Sequence, residues 1–357
     1  MTVHGPGPSG LEAVGSVAVH TFEARRTATH TETPHTHAMA PYEEDLQDGQ
    51  FYDPDAEYEP DPEYAATLAP DAARQRRERV GPTGRPLPYF PIPGPIAEHG
   101  PAQIIAMCNQ KGGVGKTTST INLGAALAEY GRRVLLVDFD PQGALSVGLG
   151  VNPMELDLTV YNLLMERGLA ADDVLLKTAV PGMDLLPSNI DLSAAEVQLV
   201  SEVARESTLQ RALKPLMGDY DYIIIDCQPS LGLLTVNALT AAHRVIVPLE
   251  CEFFALRGVA LLTETIEKVR ERLNPDLELD GILATMYDSR TVHSREVLAR
   301  VVEAFDDHVF HTVIGRTVRF PETTVAGEPI TTYASNSVGA AAYRQLAREV
   351  LARCHAE

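Results

Sequence analysis

Cys108-Asn-Gln-Lys-Gly-Gly-Val-Gly-Lys-Thr-Thr118 joins a short apolar run, Gln103–Cys108, to a stretch with helical periodicity, Lys116–Tyr130. Glycines at 112, 113 and 115 let successive backbone N–H groups turn inward with no Cβ in the way, which makes an anion nest at the positive end of a helix. Strand, nest and helix in that order predict a nucleotide-phosphate loop in an α/β protein. Lys116 is then placed to reach the β- and γ-phosphates and the Thr117 hydroxyl to hold Mg²⁺, with Gly112, Gly113, Val114, Gly115 and Thr118 completing the cradle. The plain Walker pattern fails, because Gln110 stands where its first glycine belongs; the chain carries the variant Lys-Gly-Gly-x-Gly-Lys-Thr. Its additional lysine, Lys111, adds repulsion unless more negative charge is shared. Two nucleotide-bound subunits facing each other resolve this, with Lys111 of one on the phosphates of the other.

Outward from this loop, apolar runs alternate with longer helical patterns. The strand candidates are Gln103–Cys108, Arg133–Phe139, Met183–Leu186, Tyr222–Asp226, Arg244–Leu249, Gly281–Met286 and Val309–Ile314, and a long helix is expected over Ala255–Leu273. The alternation predicts a doubly wound, mostly parallel sheet of seven or eight strands with helices on both faces, of the P-loop NTPase type. Ligands in such sheets bind beyond the carboxyl ends of the strands. There, Val134-Leu-Leu-Val137 leads into Asp138-Phe-Asp140-Pro-Gln-Gly143, and Tyr222-Ile-Ile-Ile225 leads into Asp226. Asp226 is the expected Mg²⁺ partner, Asp138 is expected to hold the Mg²⁺ water network, and Asp140 to orient or deprotonate an attacking water. No Asn-Lys-x-Asp guanine-reading motif occurs, which favours ATP over GTP.

The chain has 357 residues, 49 Asp+Glu against 29 Lys+Arg, and a formal charge of −20. That balance disfavours a protein that coats nucleic acid by bulk positive charge, so any such contact must be local. Residues 1–100 contain seven Arg, no Lys, sixteen acidic residues and fourteen of the 25 prolines. Ten of those acidic residues and no basic one fall between Tyr42 and Glu63, a composition that buries too little apolar surface to offset the entropy of ordering. Residues 1–100 are therefore expected to form a disordered acidic, Pro-rich arm and linker, with Pro82 to Pro95 extended and semi-stiff, and residues 101–357 one folded domain. No run of about 18 apolar residues and no signal-peptide pattern is present, which predicts a cytoplasmic protein. The four cysteines, 108, 227, 251 and 354, lie far apart and read as reduced thiols.

Over about residues 103–355 the sequence resembles the ParA/Soj family of partitioning ATPases, in the superfamily with a deviant Walker A motif. The resemblance rests on residues 109–118, Val-Asp-Phe-Asp-Pro-Gln-Gly (137–143), Tyr-Ile-Ile-Ile-Asp-Cys (222–227), Pro-Ser-Leu-Gly-Leu-Leu-Thr (229–235), Val-Pro-Leu-Glu-Cys-Glu-Phe-Phe-Ala-Leu (247–256), Met-Tyr-Asp-Ser-Arg-Thr (286–291) and Gly-Glu-Pro-Ile (327–330). It implies a homodimer formed on binding ATP and Mg²⁺ that binds double-stranded DNA without sequence preference and associates with the nucleoid. A ParB-type centromere-binding partner then stimulates an otherwise slow hydrolysis and releases it. Carried over, Lys111 resembles the signature lysine acting across the dimer, Asp140 the residue required for hydrolysis, and Asp226 the Walker B aspartate. Arg290 and Arg319 match the DNA-contacting arginines of Soj-like members. Independently of the family, residues 287–320 hold five Arg against five acidic residues, a neutral window with few aromatics, which suits backbone contact better than base stacking.

Three positions depart from the family pattern: Gln228 replaces a proline after Asp-Cys, Gly315 a proline before Arg316, and Val292 an asparagine after Thr291. The competing readings are a MinD-like membrane-cycling or other cargo-positioning ATPase, an ATP-binding scaffold with little turnover, and a metabolic ATPase or reductase of the same superfamily. The C-terminal pattern, with Tyr343, Leu346, Val350 and Leu351 at helical spacing, is weakly hydrophobic and fits packing better than stable membrane association. Because the phosphate loop lies wholly in the folded part, deleting residues 1–98 is expected to leave ATP binding intact; loss of binding in a fluorescent-nucleotide titration would refute the division.

Overall fold

A computed structural model describes residues 80–252 and 255–354. The acidic arm up to residue 79 lies outside the described residues, as do Phe253 and Phe254. Strand β1 (Gln103–Met107) places Ile104 and Ala106 in one apolar cluster and Ile105 and Met107 in another. Successive side chains of a strand point to opposite faces, so an all-apolar strand must be covered on both.

The other strands are β2 (Val134–Phe139), β3 (Leu176–Lys177), β4 (Met183–Leu186), β5 (Tyr222–Cys227), β6 (Arg244–Glu250) and β7 (Glu278–Thr285). They form a seven-stranded sheet in the order β3-β4-β2-β5-β1-β6-β7, parallel except for β3 against β4. Helix α1 (Lys116–Glu129), which runs from β1 toward β2, covers one face together with α2 (Ala144–Gly148). The opposite face is covered by α3 (Val160–Met165), α4 (Leu192–Gln198), α5 (Thr208–Leu213), α6 (Leu233–Ala241), α7 (Ala255–Arg272) and α8 (Val292–Phe305) through Val160, Leu192, Leu209, Leu234, Leu262 and Val297. The short α9 (Arg319–Ala326) and α10 (Ile330–Tyr333) lead to α11 (Val338–Cys354), which packs beside α1 through Leu346 and Val350. The chain leaves β1 toward β2 on one side and returns to β6 on the other, so the carboxyl end of β1 is the switch point of the sheet.

Six of the expected strands are present within a few residues of their expected ends. The seventh is a correction. Val309–Ile314 is not a strand; it lies along β7 with isolated parallel bridges Ile282↔Val309 and Tyr287↔Gly315. The cause is Glu349 of α11, a fully buried carboxylate that accepts from the backbone N–H of His311 (2.7 Å) and Thr312 (2.9 Å) and from the Thr312 hydroxyl (2.7 Å). Those N–H groups are unavailable to a continuous ladder. The seventh strand is instead the two-residue β3 at the far edge.

Residues 80–100 form a strap in contact with the domain at the amino ends of the strands, ahead of the boundary expected at residue 100. Arg85 donates to the carbonyls of Asp306 (2.8 Å) and Val309, Arg132 to the Gly94 carbonyl (2.8 Å), and His99 Nδ1 lies 2.7 Å from Asp221 Oδ2. Gly100 takes φ +76° and presses on the Gly218 carbonyl, so no side chain fits there. At the opposite end of the molecule from this strap lies the phosphate loop.

Removing the Glu349 carboxylate leaves one buried and one half-buried backbone N–H group without their partner. Glu349→Ala is therefore expected to cost about 3 kcal/mol in urea unfolding with nucleotide affinity retained.

Candidate functional site

The loop between β1 and α1 turns at Gly113 (φ +76°) and Gly115 (φ +84°), the latter capping α1. Both values lie in the left-handed region, and at Gly115 space alone would admit a Cβ, so the backbone conformation is what requires glycine. Two polar groups to which the motif assigned no role fix this loop. Buried Asn109 donates to the Pro248 carbonyl (2.7 Å) and accepts from the Lys111 N–H (2.9 Å); Thr285, at the end of β7, donates to the Val114 carbonyl (2.9 Å). Lys116 is buried, with Nζ on the Lys111 carbonyl at 3.2 Å.

Adjacent strands β2 and β5 bring Asp138 and Asp226 into register. The Thr117 hydroxyl donates to Asp226 Oδ2 at 2.6 Å, while Asp226 Oδ1 is buried without a hydrogen-bond partner. Burial first, then the neighbouring Asp138, pushes the Asp226 carboxyl up to about 8, against the pull of Thr117 and Lys116. Burial likewise pushes Asp138 up to about 7. Asp138 Oδ2 accepts from the Ser146 N–H (2.8 Å) and hydroxyl (2.7 Å), so this carboxylate anchors the first turn of α2 as well as standing beside Asp226. Asp140, half-buried past the end of β2, accepts from the Gln142 N–H at 2.9 Å. An unpartnered carboxylate oxygen next to a threonine hydroxyl and under a phosphate cradle matches the oxygen donors that Mg²⁺ takes, so these residues fit that ion.

Lys111 Nζ is held within its own chain by Glu250 Oε2 (3.0 Å) and Glu252 Oε2 (2.5 Å), and Arg316 reaches the other oxygen of Glu250 at 3.3 Å. The hydrogen bond to Glu252 is the main cause that raises the Lys111 ammonium above its ordinary value. Beside the loop, a cavity of about 320 Å³ is lined by Gly115, Thr118, Thr285, Met286, Arg316 and Phe320. Met286 takes φ +50°, a strained value for a residue with a side chain and one that gathers at functional sites. No motif announces this cavity, because its walls come from segments far apart in the chain.

Arg290 and Arg319 lie beyond the edge strand β7, where the Tyr287↔Gly315 bridge joins their two segments, and Phe320, next to Arg319, lines the cavity beside the loop. Both are exposed and both are paired locally: Arg290 makes two bonds to Asp288 (3.0 and 2.9 Å), and Arg319 lies 3.5 Å from Glu322. The bond from Arg290 is the main cause that holds the Asp288 carboxyl down at about 2. Gly315 sits at the bridge itself, and Val292 is exposed at the start of α8.

Residues 102–279 match the AAA domain family. The sporulation initiation inhibitor protein Soj of Bacillus subtilis is 48% identical over 252 residues, 70% of this chain and 98% of its own length. An uncharacterised protein of Mycobacterium tuberculosis is 69% identical over 274 residues, 77% of this chain and 86% of that one. Among solved structures, cobyrinic acid a,c-diamide synthase from Mycobacterium smegmatis with bound ADP and magnesium is 47% identical with a TM-score of 0.64, covering 71% of this chain and 96% of that one.

Two raised carboxyls make the metal-free protein lose stability as pH climbs from the ordinary aspartate range toward about 8, because the unfolded chain ionises first. Asp226→Asn is expected to flatten that slope and to raise the melting temperature in chelator by about 2–4 °C, the equivalent of about 1 kcal/mol. The same variant should lose the Mg²⁺-dependent tightening of nucleotide binding. A lower melting temperature in chelator would contradict the assignment.

Proposed function

The chain belongs to the ParA/Soj family of chromosome-partitioning ATPases, and on that premise we propose that ATP with Mg²⁺ closes two copies into a dimer that binds DNA until hydrolysis releases it. The observation that carries the dimer is Lys111. A second ammonium stands on an exposed ion pair beside a loop already served by buried Lys116, free to exchange its own glutamates for the phosphates of a facing copy.

Each residue then has a task. The N–H groups from Gly112 to Thr118 and the Lys116 ammonium hold the β- and γ-phosphates. Thr117 and Asp226 hold Mg²⁺, which when bound neutralises phosphate charge, and Asp138 keeps the neighbouring backbone in place. Asp140 orients the attacking water and accepts its proton, and Lys111 of the second copy stabilises charge on the γ-phosphate. The cavity beside Thr118 and Phe320 receives the nucleoside, which sits where Met286 and Gly315 approach the loop.

Arg290 and Arg319 form the DNA surface, doubled in the dimer and non-specific because it addresses phosphates. A ParB-type partner stimulates hydrolysis, which is slow without it, and the protein is cytoplasmic and nucleoid-associated. Among the described residues no helix is long and apolar enough to cross a membrane. Tyr343, Leu346, Val350 and Leu351 of α11 are buried in the domain, which supports packing of that helix over a MinD-like docking on lipid.

Co-sedimentation with random duplex DNA should show binding with ATP and little with ADP. Reversing both arginines, Arg290→Glu with Arg319→Glu, should weaken binding at least about ten-fold and flatten its salt dependence. Equal binding in the two nucleotides refutes the switch, and full binding by the double variant refutes the surface. Asp140→Ala should slow single-turnover hydrolysis by about 10²-fold or more while the ATP-bound dimer still forms.

A further inference from the structure

Gln228 lies two residues beyond Asp226, and its side chain gives the loop after β5 a contact that the family's usual proline cannot make. Its Nε2 donates to Glu196 Oε1 of α4 at 2.8 Å, between two half-buried side chains. The same Glu196 oxygen lies against Gly232, the cap of α6, at a position where any Cβ would collide with it. A carboxylate there is favoured by the positive end of α6. The loop between is laced internally: Ser230 N–H to the Gln228 carbonyl (2.9 Å), Gly232 N–H to Ser230 Oγ (3.3 Å), and the Thr235 hydroxyl to the Ser230 carbonyl (2.7 Å). The segment that leads into α4 is tied as well, since the Ser188 N–H donates to Ser146 Oγ (3.1 Å), the hydroxyl that holds Asp138.

We propose that Glu196 is a positioning residue for ATP hydrolysis, acting through Gln228 to fix the loop that follows Asp226. Proline would limit that loop through its locked φ, with no side-chain partner needed. Glutamine leaves φ free, so an external tether must supply the constraint, and a charge-assisted hydrogen bond to a carboxylate seated on a helix cap is strong enough to do so. The tether is made between two protein side chains and reaches the backbone two residues beyond Asp226, the carboxylate proposed to hold Mg²⁺. It therefore bears on the geometry of the chemical step and leaves ground-state binding alone. This inference rests on the ATPase reading.

The test uses the full chain and compares Glu196→Ala, Gln228→Ala, the double variant and Glu196→Gln, with single-turnover rate, Mg-ATP affinity and melting temperature read on each. Each alanine variant is expected to hydrolyse about ten-fold more slowly with unchanged Mg-ATP affinity, the double variant no more slowly than either single one. Glu196→Gln, whose amide oxygen can still accept from Gln228, should recover most of the rate. Replacing Gln228 with proline should remove the dependence on Glu196, so that Gln228→Pro and Gln228→Pro with Glu196→Ala turn over alike. Unchanged rates, independent multiplying losses, or a lowered melting temperature with rate intact would overturn the proposal. If the unaltered protein binds Mg-ATP and never turns it over, the hydrolytic reading fails and this inference with it; normal turnover with indifferent variants sinks the inference alone.

Discussion

Asp226 Oδ1 is a carboxylate oxygen with no partner in the interior of the protein, and the site is arranged around that fact. Burying such a group costs stability unless a proton or a cation answers it. The parallel sheet makes the cost larger, because the register that pairs Val134–Phe139 with Tyr222–Cys227 sets Asp138 directly beside Asp226. Thr117 bonds the other oxygen of Asp226 and Ser146 bonds Asp138, yet Asp226 Oδ1 keeps no hydrogen-bond partner. On the function proposed above, a metal-bound nucleotide would offset that cost, which would tie folding and binding to the same atom.

The loop above it is held in one conformation. Glycine at 113 and 115 admits the left-handed turn, and Asn109 and Thr285 lock it from two directions. Lys116 is buried toward the loop, where it offsets part of the Asp226 cost. A bare phosphate cradle would bind many anions. On the proposed reading, the buried carboxylates would favour anions that arrive with a divalent cation, because an anion alone would add repulsion once those groups ionise.

The nucleotide loop, the two aspartate-bearing strands and the sheet class were legible in the sequence because each depends on short-range pattern: glycine spacing, an apolar run, an acidic residue at its end. What escaped depends on long-range contact. Val309–Ile314 reads as a strand by composition, yet Glu349, nearly forty positions later, takes its N–H groups. Two residues at Leu176–Lys177 carry no periodicity at all, and only their partner β4 makes them a strand. The extra charge of Lys111 was visible, whereas its resting partners Glu250 and Glu252 become apparent only when β6 is placed beside β1. Gln228 was visible as an oddity, and Glu196 gave it a partner.

The ion pairs also change the meaning of the charge of −20. An acidic background does not by itself decide where a polyanion can land; what matters is how readily the local cations are released. Arg290 and Arg319 are neutralised by Asp288 and Glu322 on their own segments, and Lys111 by Glu250 and Glu252, so each proposed contact with phosphate begins as an exchange of one anion for another. Exchange between exposed pairs is nearly neutral in free energy for a single site. On the proposed reading a lone subunit would therefore gain little from DNA, and affinity would require several such exchanges made at once. Joining two copies would supply that multiplicity without any new residue, so a nucleotide that controlled pairing would also control attachment.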